Sequence, residues 1–356
     1  MSTIQSIGVA VPAYCHKQDD ILHFMQKVYA ADEVEKRKLR FLYQQSGIAN
    51  RYSVLSDYSR PIKEWKFYPQ SENLEPFPSL EQRMTAYNKW APQLSVDAVR
   101  DCLDGKCSPK EITHLITVSC TGMSAPGLDI QLMELLDLKK SIFRTSVNFM
   151  GCYAAIHAMK LADAICKTCD ARVLIVCTEL CTLHFQREPT MDNIASSLLF
   201  GDGAAAMLLS SQTEGVRLEG FYSEVVSKGK RDMAWEISST GFLMTLSGYV
   251  PDLIEEDFEG VVSRALAANN VQQHEVTDWC IHPGGKRILQ AIEKSMHLEP
   301  AHLSASYDVL NRYGNMSSAT ILFVLQSLLK GNRCDEKIFG AAFGPGLTVE
   351  TFIAGT

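Results

Sequence analysis

The chain has 356 residues, 46% of them hydrophobic and 21% charged, with a formal net charge of −7. That length suits one large domain or two ordinary ones, with the profile of a globular enzyme that builds a substantial core. The negative balance, with no long Lys/Arg block to offset it, argues against general nucleic-acid binding. No apolar run reaches the ~18–20 residues needed to span a bilayer. The start, Met1-Ser-Thr-Ile-Gln-Ser6, lacks the basic stretch of a secretory leader. Eleven cysteines, an odd number, point to free thiols in a reducing cytoplasm.

In chain order, Ile4–Val11 reads as a first strand ended by Pro12. Residues Gln18–Ile48 place apolar side chains at helical spacing, and Leu55–Pro78, rich in Pro, Ser, Asn and aromatics, reads as a long surface excursion. A helix is predicted from about Ser79 to Leu103, a strand over His114–Ser119, a glycine/proline loop over Cys120–Gly127 and a helix over Asp129–Leu138. Arg172–Thr178 is a β-branched run of the fully buried kind. Leu199–Leu209 supplies a turn and another buried strand. A strand near Val216–Tyr222 follows, then a helix from about Pro251 to Asn269 and a strand over Asp278–His282. Gly284–Met296 and Ser317–Leu329 read as helices, and Lys337–Ala354 as a hairpin. Strands alternating with helices predict an α/β fold. The similar order of elements in residues 1–215 and 216–356 suggests a duplicated unit packed as one body.

The most informative stretch is Ser146-Val-Asn-Phe-Met-Gly-Cys-Tyr-Ala-Ala-Ile-His-Ala-Met-Lys160. A Met-Gly turn puts Cys152 at the start of a long, Ala-rich, apolar helix. The helix dipole there lowers a thiol's pKa and readies it as a nucleophile. A buried cysteine is ordinarily just a small hydrophobe, so the other ten need weighing. Cys166 and Cys169 form a C-x-x-C with no second pair at zinc spacing. Cys102, Cys107 and Cys334 fall in polar segments that read as exposed. Only Cys152 has a glycine turn before it and a helix after it.

A Cys nucleophile needs a base or ion-pair partner and a group to hold an oxyanion. His282 ends an apolar strand and opens into Pro283-Gly284-Gly285, the kind of strand end where α/β proteins place reactive side chains. Asn315, in Tyr313-Gly-Asn-Met-Ser-Ser-Ala319, sits between a glycine turn and an apolar helix, where its amide can donate to developing negative charge. Each has a plainer reading: a hydrogen-bonded structural histidine, and a helix cap. His297 and His302 lack ligand-like spacing, His16 and His23 look like surface residues, and no metal site is expected.

Taken together, Asn148-Phe-Met-Gly-Cys-Tyr-Ala-Ala155, Ile281-His-Pro-Gly-Gly285 and Tyr313-Gly-Asn-Met-Ser-Ser-Ala319 resemble the active-site motifs of type III polyketide synthases, the chalcone-synthase-like enzymes. Phe200-Gly-Asp-Gly-Ala-Ala-Ala206 and Phe343-Gly-Pro-Gly-Leu-Thr-Val-Glu-Thr351 match two more, in order over nearly the whole chain. The resemblance implies the thiolase fold, five layers (α-β-α-β-α) with two pseudo-equivalent halves, and a homodimer. It implies that Cys152 takes an acyl group from coenzyme A and holds the growing chain. His282 and Asn315 would bind the malonyl-CoA carbonyl and stabilise the enolate left by decarboxylation, with His282 also keeping Cys152 as thiolate through an imidazolium pairing. Malonyl-CoA and an acyl-CoA starter would be the partners, and coenzyme A the carrier. No metal or organic cofactor is called for.

By the same resemblance Phe200 is a gatekeeping aromatic, and Phe343, Gly344 and Pro345 form a cavity wall. Lys38, Arg40, Lys286 and Arg287 are candidates for the CoA phosphates. Several positions depart from the plant pattern. Met244, with Phe242 as the competing assignment, stands for a second gatekeeping Phe, and Trp235 for a cavity glycine. Cys120 and Cys181 replace cavity threonines, His184 replaces a small polar residue, and Ala342 replaces a glycine. Thr121 and Ser317 complete the expected wall. Val118–Gly127 looks more like bacterial members, which leaves the product open among alkylpyrones, alkylresorcinols and small polyhydroxy aromatics. Two alternatives stay in view. One is a single-round ketoacyl synthase of the same fold, which typically carries His-Gln-Ala-Asn where this chain has His282-Pro-Gly-Gly. The other is a catalytically silent scaffold.

Overall fold

The computed structural model describes residues 2–330 and 336–355. Strand β1 (Ser2–Ala10) leads into a small sheet, β2 (Tyr14–Lys17) paired with β3 (Asn50–Ser53), between which run helices α1 (Gln18–Tyr29) and α2 (Glu33–Gln45). Asp32 starts α2 by accepting from the backbone N–H groups of Val34 and Glu35, which satisfies two orphan donors of the first turn. Next come α3 (Leu80–Leu103), β4 (His114–Ser119), α4 (Leu128–Leu135), β5 (Phe143–Asn148) and α5 (Ala154–Thr168). They are followed by β6 (Arg172–Leu180), α6 (Met191–Leu199), β7 (Asp202–Ser210) and β8 (Val216–Val225). A hairpin, β9 (Met233–Ser238) with β10 (Gly241–Leu246), precedes α7 (Val250–Ala268), β11 (Asp278–Ile281), α8 (Lys286–Met296) and α9 (Ser304–Tyr313). The chain ends with α10 (Thr320–Leu329), β12 (Lys337–Gly344) and β13 (Thr348–Gly355).

Nine strands share hydrogen bonds in the order β11-β12-β13-β8-β1-β7-β6-β4-β5. The strip is joined at its middle by three residue pairs between β1 and β8, and its two halves form two layers around the buried helices α5 and α10. The period-2 alternation of strand side chains sorts residues between faces. On β6, Val173, Ile175 and Cys177 pack with α5 and α10, whereas Leu174 and Val176 pack with α3. On β13, Phe352 and Ala354 face the same central helices, whereas Val349 and Ile353 face α7 and α8. Three cores therefore hold five layers together, the middle one filling both sides of the central helices, with α1 and α3 outside one sheet and α7 and α8 outside the other. This is the thiolase fold.

Two readings of the sequence are corrected here. Leu55–Pro78 is not a loose surface excursion, because Asp57 is fully buried and its carboxylate accepts from the backbone N–H groups of Lys66, Phe67 and Tyr68. Around it Tyr58, Trp65 and Tyr68 cluster with Phe24 and Phe185, so the aromatics that suggested a surface form a core. Cys102 and His16 are buried as well. Cys102 lies on the inner face of α3, and His16 hydrogen-bonds Ser59 and the Leu55 carbonyl. Cys107 is half-buried, and Cys334 lies outside the described residues.

Candidate active site

Three strand or helix ends converge on one cavity of about 410 Å³. The first is the turn between β5 and α5. Phe149 and Gly151 both adopt left-handed backbone, with φ of 59° and 81°, and Cys152 follows two residues before the helix begins. A Cβ at Gly151 would collide with the Pro345 ring, so glycine serves both the turn and the close approach. The Gly151 N–H donates to Cys120 Sγ at 3.0 Å.

The second end is β11, prolonged by the bond from His282 N–H to the Ala341 carbonyl at 2.9 Å. His282 is 1% exposed, and neither ring nitrogen has a hydrogen-bond partner. The third is the segment after α9. Asn315 Oδ1 accepts from the Ser317 N–H at 2.8 Å, which leaves Nδ2 to donate to the Gly284 carbonyl at 3.3 Å. That bond links Asn315 to the turn beyond His282 and leaves one amide N–H for a ligand. Cys152 Sγ lies 4.0 Å from Asn315 Oδ1 and 3.7 Å from Ser317 Oγ.

Burial acts against two of the expectations. Burial pushes the Cys152 thiol up to about 12, against the downward pull of its bonds to Ser317 and Asn315, and the Glu179 carboxylate adds to the rise. Burial likewise holds His282 down to about 3. Burial thus pushes each group toward its neutral form, against the direction of the expected thiolate and imidazolium. The physical reason is one of range. A helix end carries roughly half a charge felt within its first turn, while taking a group out of water shifts its pKa by several units. Glu179, on β6, lies within the same buried network. It accepts from Cys120 N–H, Thr121 Oγ and Ser318 Oγ, and burial raises it to about 7.

Of the residues singled out from the sequence, Cys120, Thr121, Cys152, Cys181, His184, Phe200, Trp235, Met244, His282, Lys286, Arg287, Asn315, Ser317, Phe343 and Pro345 all line this cavity. Three do not. Gly344 is set back from the wall, where its missing Cβ makes room for the Tyr153 ring. Lys38 and Arg40 are exposed on α2 and outside the wall; Leu42 and Gln45 of that helix line it instead. Lys38 lies one turn before Leu42 on the same face, but Arg40 points elsewhere on the helix. Both gatekeeper candidates, Met244 and Phe242, reach the cavity.

His184 is more than a wall residue. Its Nδ1 accepts from the Phe242 N–H at 3.1 Å, so Nε2 carries the proton and donates to the Thr121 carbonyl at 2.7 Å. The imidazole stacks on Phe242 at 4.1 Å, and Trp235 Nε1 donates to the Cys120 carbonyl at 2.6 Å. These contacts pin the β9–β10 hairpin over the Cys120–Thr121 segment. Sequence reasoning missed α6, whose every residue lines the cavity, and Arg51 and Tyr52 from β3. Their signal was weak, because α6 mixes small polar and apolar residues and β3 has only four residues. Among the described residues no group of three or more His, Cys, Asp or Glu side chains is placed to hold a metal ion, and no helix is long and apolar enough to cross a membrane.

The thiolase fold thus brings Cys152, His282 and Asn315 from separate segments to one mostly apolar cavity. The profile of the chalcone and stilbene synthase N-terminal domain matches residues 1–213, and that of the C-terminal domain residues 218–355. The chain belongs to this family, as a chalcone-synthase-like type III polyketide synthase. It is 29% identical over 362 residues to "Probable polyketide synthase 1" of Dictyostelium discoideum, covering 98% of this chain but 11% of that much longer protein. Among solved structures it resembles the C-terminal type III polyketide synthase domain of Steely1, a type I/III hybrid from Dictyostelium. The TM-score is 0.91 at 27% identity, over 100% of this chain and 99% of that one. PKS-I from the brown alga Ectocarpus siliculosus gives a TM-score of 0.92 at 25% identity, over 100% and 98%.

Proposed function

We propose that the protein condenses malonyl-CoA onto an acyl-CoA starter held on Cys152, over repeated rounds, and cyclises the product to an alkylpyrone, alkylresorcinol or small polyhydroxy aromatic. The observation that carries this reading is the meeting of Cys152, His282 and an oriented Asn315 amide at one mostly apolar cavity. Burial favours the neutral thiol and the neutral imidazole, so in this reading the nucleophile forms as the starter arrives. His282 accepts the Cys152 proton, sulfur attacks the thioester carbon, and the departing CoA thiolate takes that proton back. Moving one proton within the pocket creates a compact ion pair, which costs less than ionising either group alone in a dry site.

Malonyl-CoA then places its thioester carbonyl against His282 and the free Asn315 N–H. Loss of CO2 leaves an enolate that these donors stabilise. Its carbon attacks the acyl group, and the Cys152 thiolate is released. No metal or organic cofactor enters this sequence. The apolar walls exclude water from the enolate, and Trp235, Met244, Phe200 and the hairpin set how long a chain fits. Lys286 and Arg287, at the start of α8, and Lys38, outside the wall on α2, are the cations offered to the CoA phosphates. We assign the protein to the cytoplasm, supported by ten described cysteines that are all free. A homodimer is supported by the edge strand β5, on which Phe143 is 69% exposed, and by the exposed Leu135 of α4.

The test is incubation of purified protein with malonyl-CoA and acyl-CoAs of graded length, with CO2 release and product mass as readouts. Pyrone or resorcinol masses at several extensions support the reading, and products with a single two-carbon extension assign a single-round synthase instead. Cys152→Ala must lose all condensation; retained product in that variant refutes the assignment.

A further inference from the structure

The last carbonyls of a helix have no partner within the helix and must find one elsewhere. At the end of α6 four consecutive carbonyls are all taken, by three partners. Arg51 Nη1 donates to Ser197 O at 2.6 Å and to Phe200 O at 2.8 Å. Gln18 Nε2 donates to Leu198 O at 2.9 Å, and the backbone N–H of Asn315 donates to Leu199 O at 2.9 Å. The two side chains are tied to each other, because Arg51 Nε donates to Gln18 Oε1 at 2.9 Å. On the far side the Gly201 N–H donates to the Asn315 carbonyl at 2.9 Å, closing a bridge between Phe200 and Asn315.

Arg51 also touches the other strand of that bridge. A Cβ at Gly314 would lie 2.8 Å from Arg51 Cγ, so the arginine stem packs directly on the residue before Asn315. Arg51 is buried, and among the described residues no carboxylate forms an ion pair with it; Asp202 acts on it only through space. An uncompensated guanidinium in a core is costly, and what answers it here is the negative end of the α6 dipole together with three oriented oxygens. The small β2–β3 sheet thereby acquires a purpose: it presents Arg51, and next to it Gln18, as a bracket around the Phe200–Asn315 bridge.

We propose that Arg51, with Gln18, is a positioning residue for the Asn315 amide and for Phe200, through the end of α6. The inference rests on the proposed function, because Asn315 matters only if its amide holds the malonyl carbonyl. Lysine at position 51 keeps the charge but cannot bond two carbonyls and Gln18 from one rigid plane. The bridge then loosens, and Asn315 Nδ2 drifts from the position it holds against Gly284. Cys152 itself stands on a different turn, keeps its contact with Ser317 Oγ and loses at most the long 4.0 Å one to Asn315 Oδ1, so it stays reactive.

The experiment measures three rates in Arg51→Lys and Gln18→Leu. They are malonyl-CoA decarboxylation with its kcat and KM, alkylation of Cys152 by iodoacetamide, and use of starters of different length. In Arg51→Lys, kcat for decarboxylation is expected to fall at least tenfold with KM changed less than threefold. Alkylation is expected to stay within threefold of wild type, and the starter preference to broaden as Phe200 is released. In Gln18→Leu the expected fall is at least threefold, and this variant carries the test if Arg51→Lys does not fold. Unchanged decarboxylation overturns the proposal, and so does a loss of alkylation by the same factor, which would mark a general structural role. Wild-type protein that fails to decarboxylate malonyl-CoA overturns the polyketide reading itself, and the two failures are thereby told apart.

Discussion

Replacing His184 by phenylalanine tests whether the imidazole that pins the hairpin is neutral and dry. The phenyl ring retains the stack on Phe242, but the Thr121 carbonyl and the Phe242 N–H lose their partner. Each buried group left unpaired costs about 1–3 kcal/mol, so His184→Phe should lose roughly 2–6 kcal/mol of stability at pH 7.5. The pH dependence carries the sharper information. Burial lowers the folded pKa of His184 to about 3 from the ordinary 6.5. Between those values the unfolded chain holds a proton that the folded protein lacks, so wild-type stability falls as pH drops through this window, by up to ~1.4 kcal/mol per pH unit. From pH 6.5 to 5.0 that amounts to about 2 kcal/mol, and the variant escapes it. The gap between wild type and variant should therefore narrow by about 2 kcal/mol between pH 7.5 and 5.0. Urea denaturation at the two pH values measures it. His282, also lowered to about 3, and Glu179, raised to about 7 and so opposite in sign, are present in both proteins and cancel in the difference. A gap that stays constant with pH would refute the reasoning, because the imidazole would then titrate alike in both states.

Other changes probe the remaining parts of the site. Gly151→Ala forces a side chain into left-handed backbone and against the Pro345 ring, so acylation of Cys152, followed by intact mass, should slow at least tenfold; a wild-type rate would show that the turn tolerates adjustment. Asp57→Asn weakens three charge-assisted bonds to Lys66, Phe67 and Tyr68 and should cost about 2–4 kcal/mol, read as a lower melting temperature and faster tryptic cleavage at Lys63 or Lys66. No change in either would mean those N–H groups find other acceptors. Trp235→Ala removes a cavity wall together with its bond to the Cys120 carbonyl, and product masses should shift toward longer starters or further extension. An unaltered product profile would show that Trp235 does not limit the chamber.

Much of the fold was legible because local chemistry leaves marks in the sequence. The buried strands β6 and β7, the helix after Cys152 and the closing hairpin all stand out by pattern, and the glycines before Cys152 and Asn315 mark turns that need left-handed backbone, at φ of 81° and 69°. What was misread or missed shares one cause. The polar β2–β3 segment with His16 and Arg51, the aromatic stretch around Asp57, and the half-exposed helix α6 take their partners from distant parts of the chain. Gln18 meets Leu198 and Arg51 meets Phe200, so a local reading sees only solvent-facing polarity. The hairpin β9–β10 was missed for the same reason, since its pins are His184 and the Cys120 carbonyl.

By itself, then, the sequence showed alternating strands and helices, and through the resemblance of its motifs it pointed to the family and to the three side chains proposed to react, because those motifs are short runs of residue types. What the tertiary structure alone adds is the burial that bears on their ionisation. A helix start favours thiolate, but walls drawn from both halves of the chain remove water from Cys152 and His282 and push both toward their neutral forms, because desolvation acts through everything that surrounds a group and not only through its neighbours in sequence.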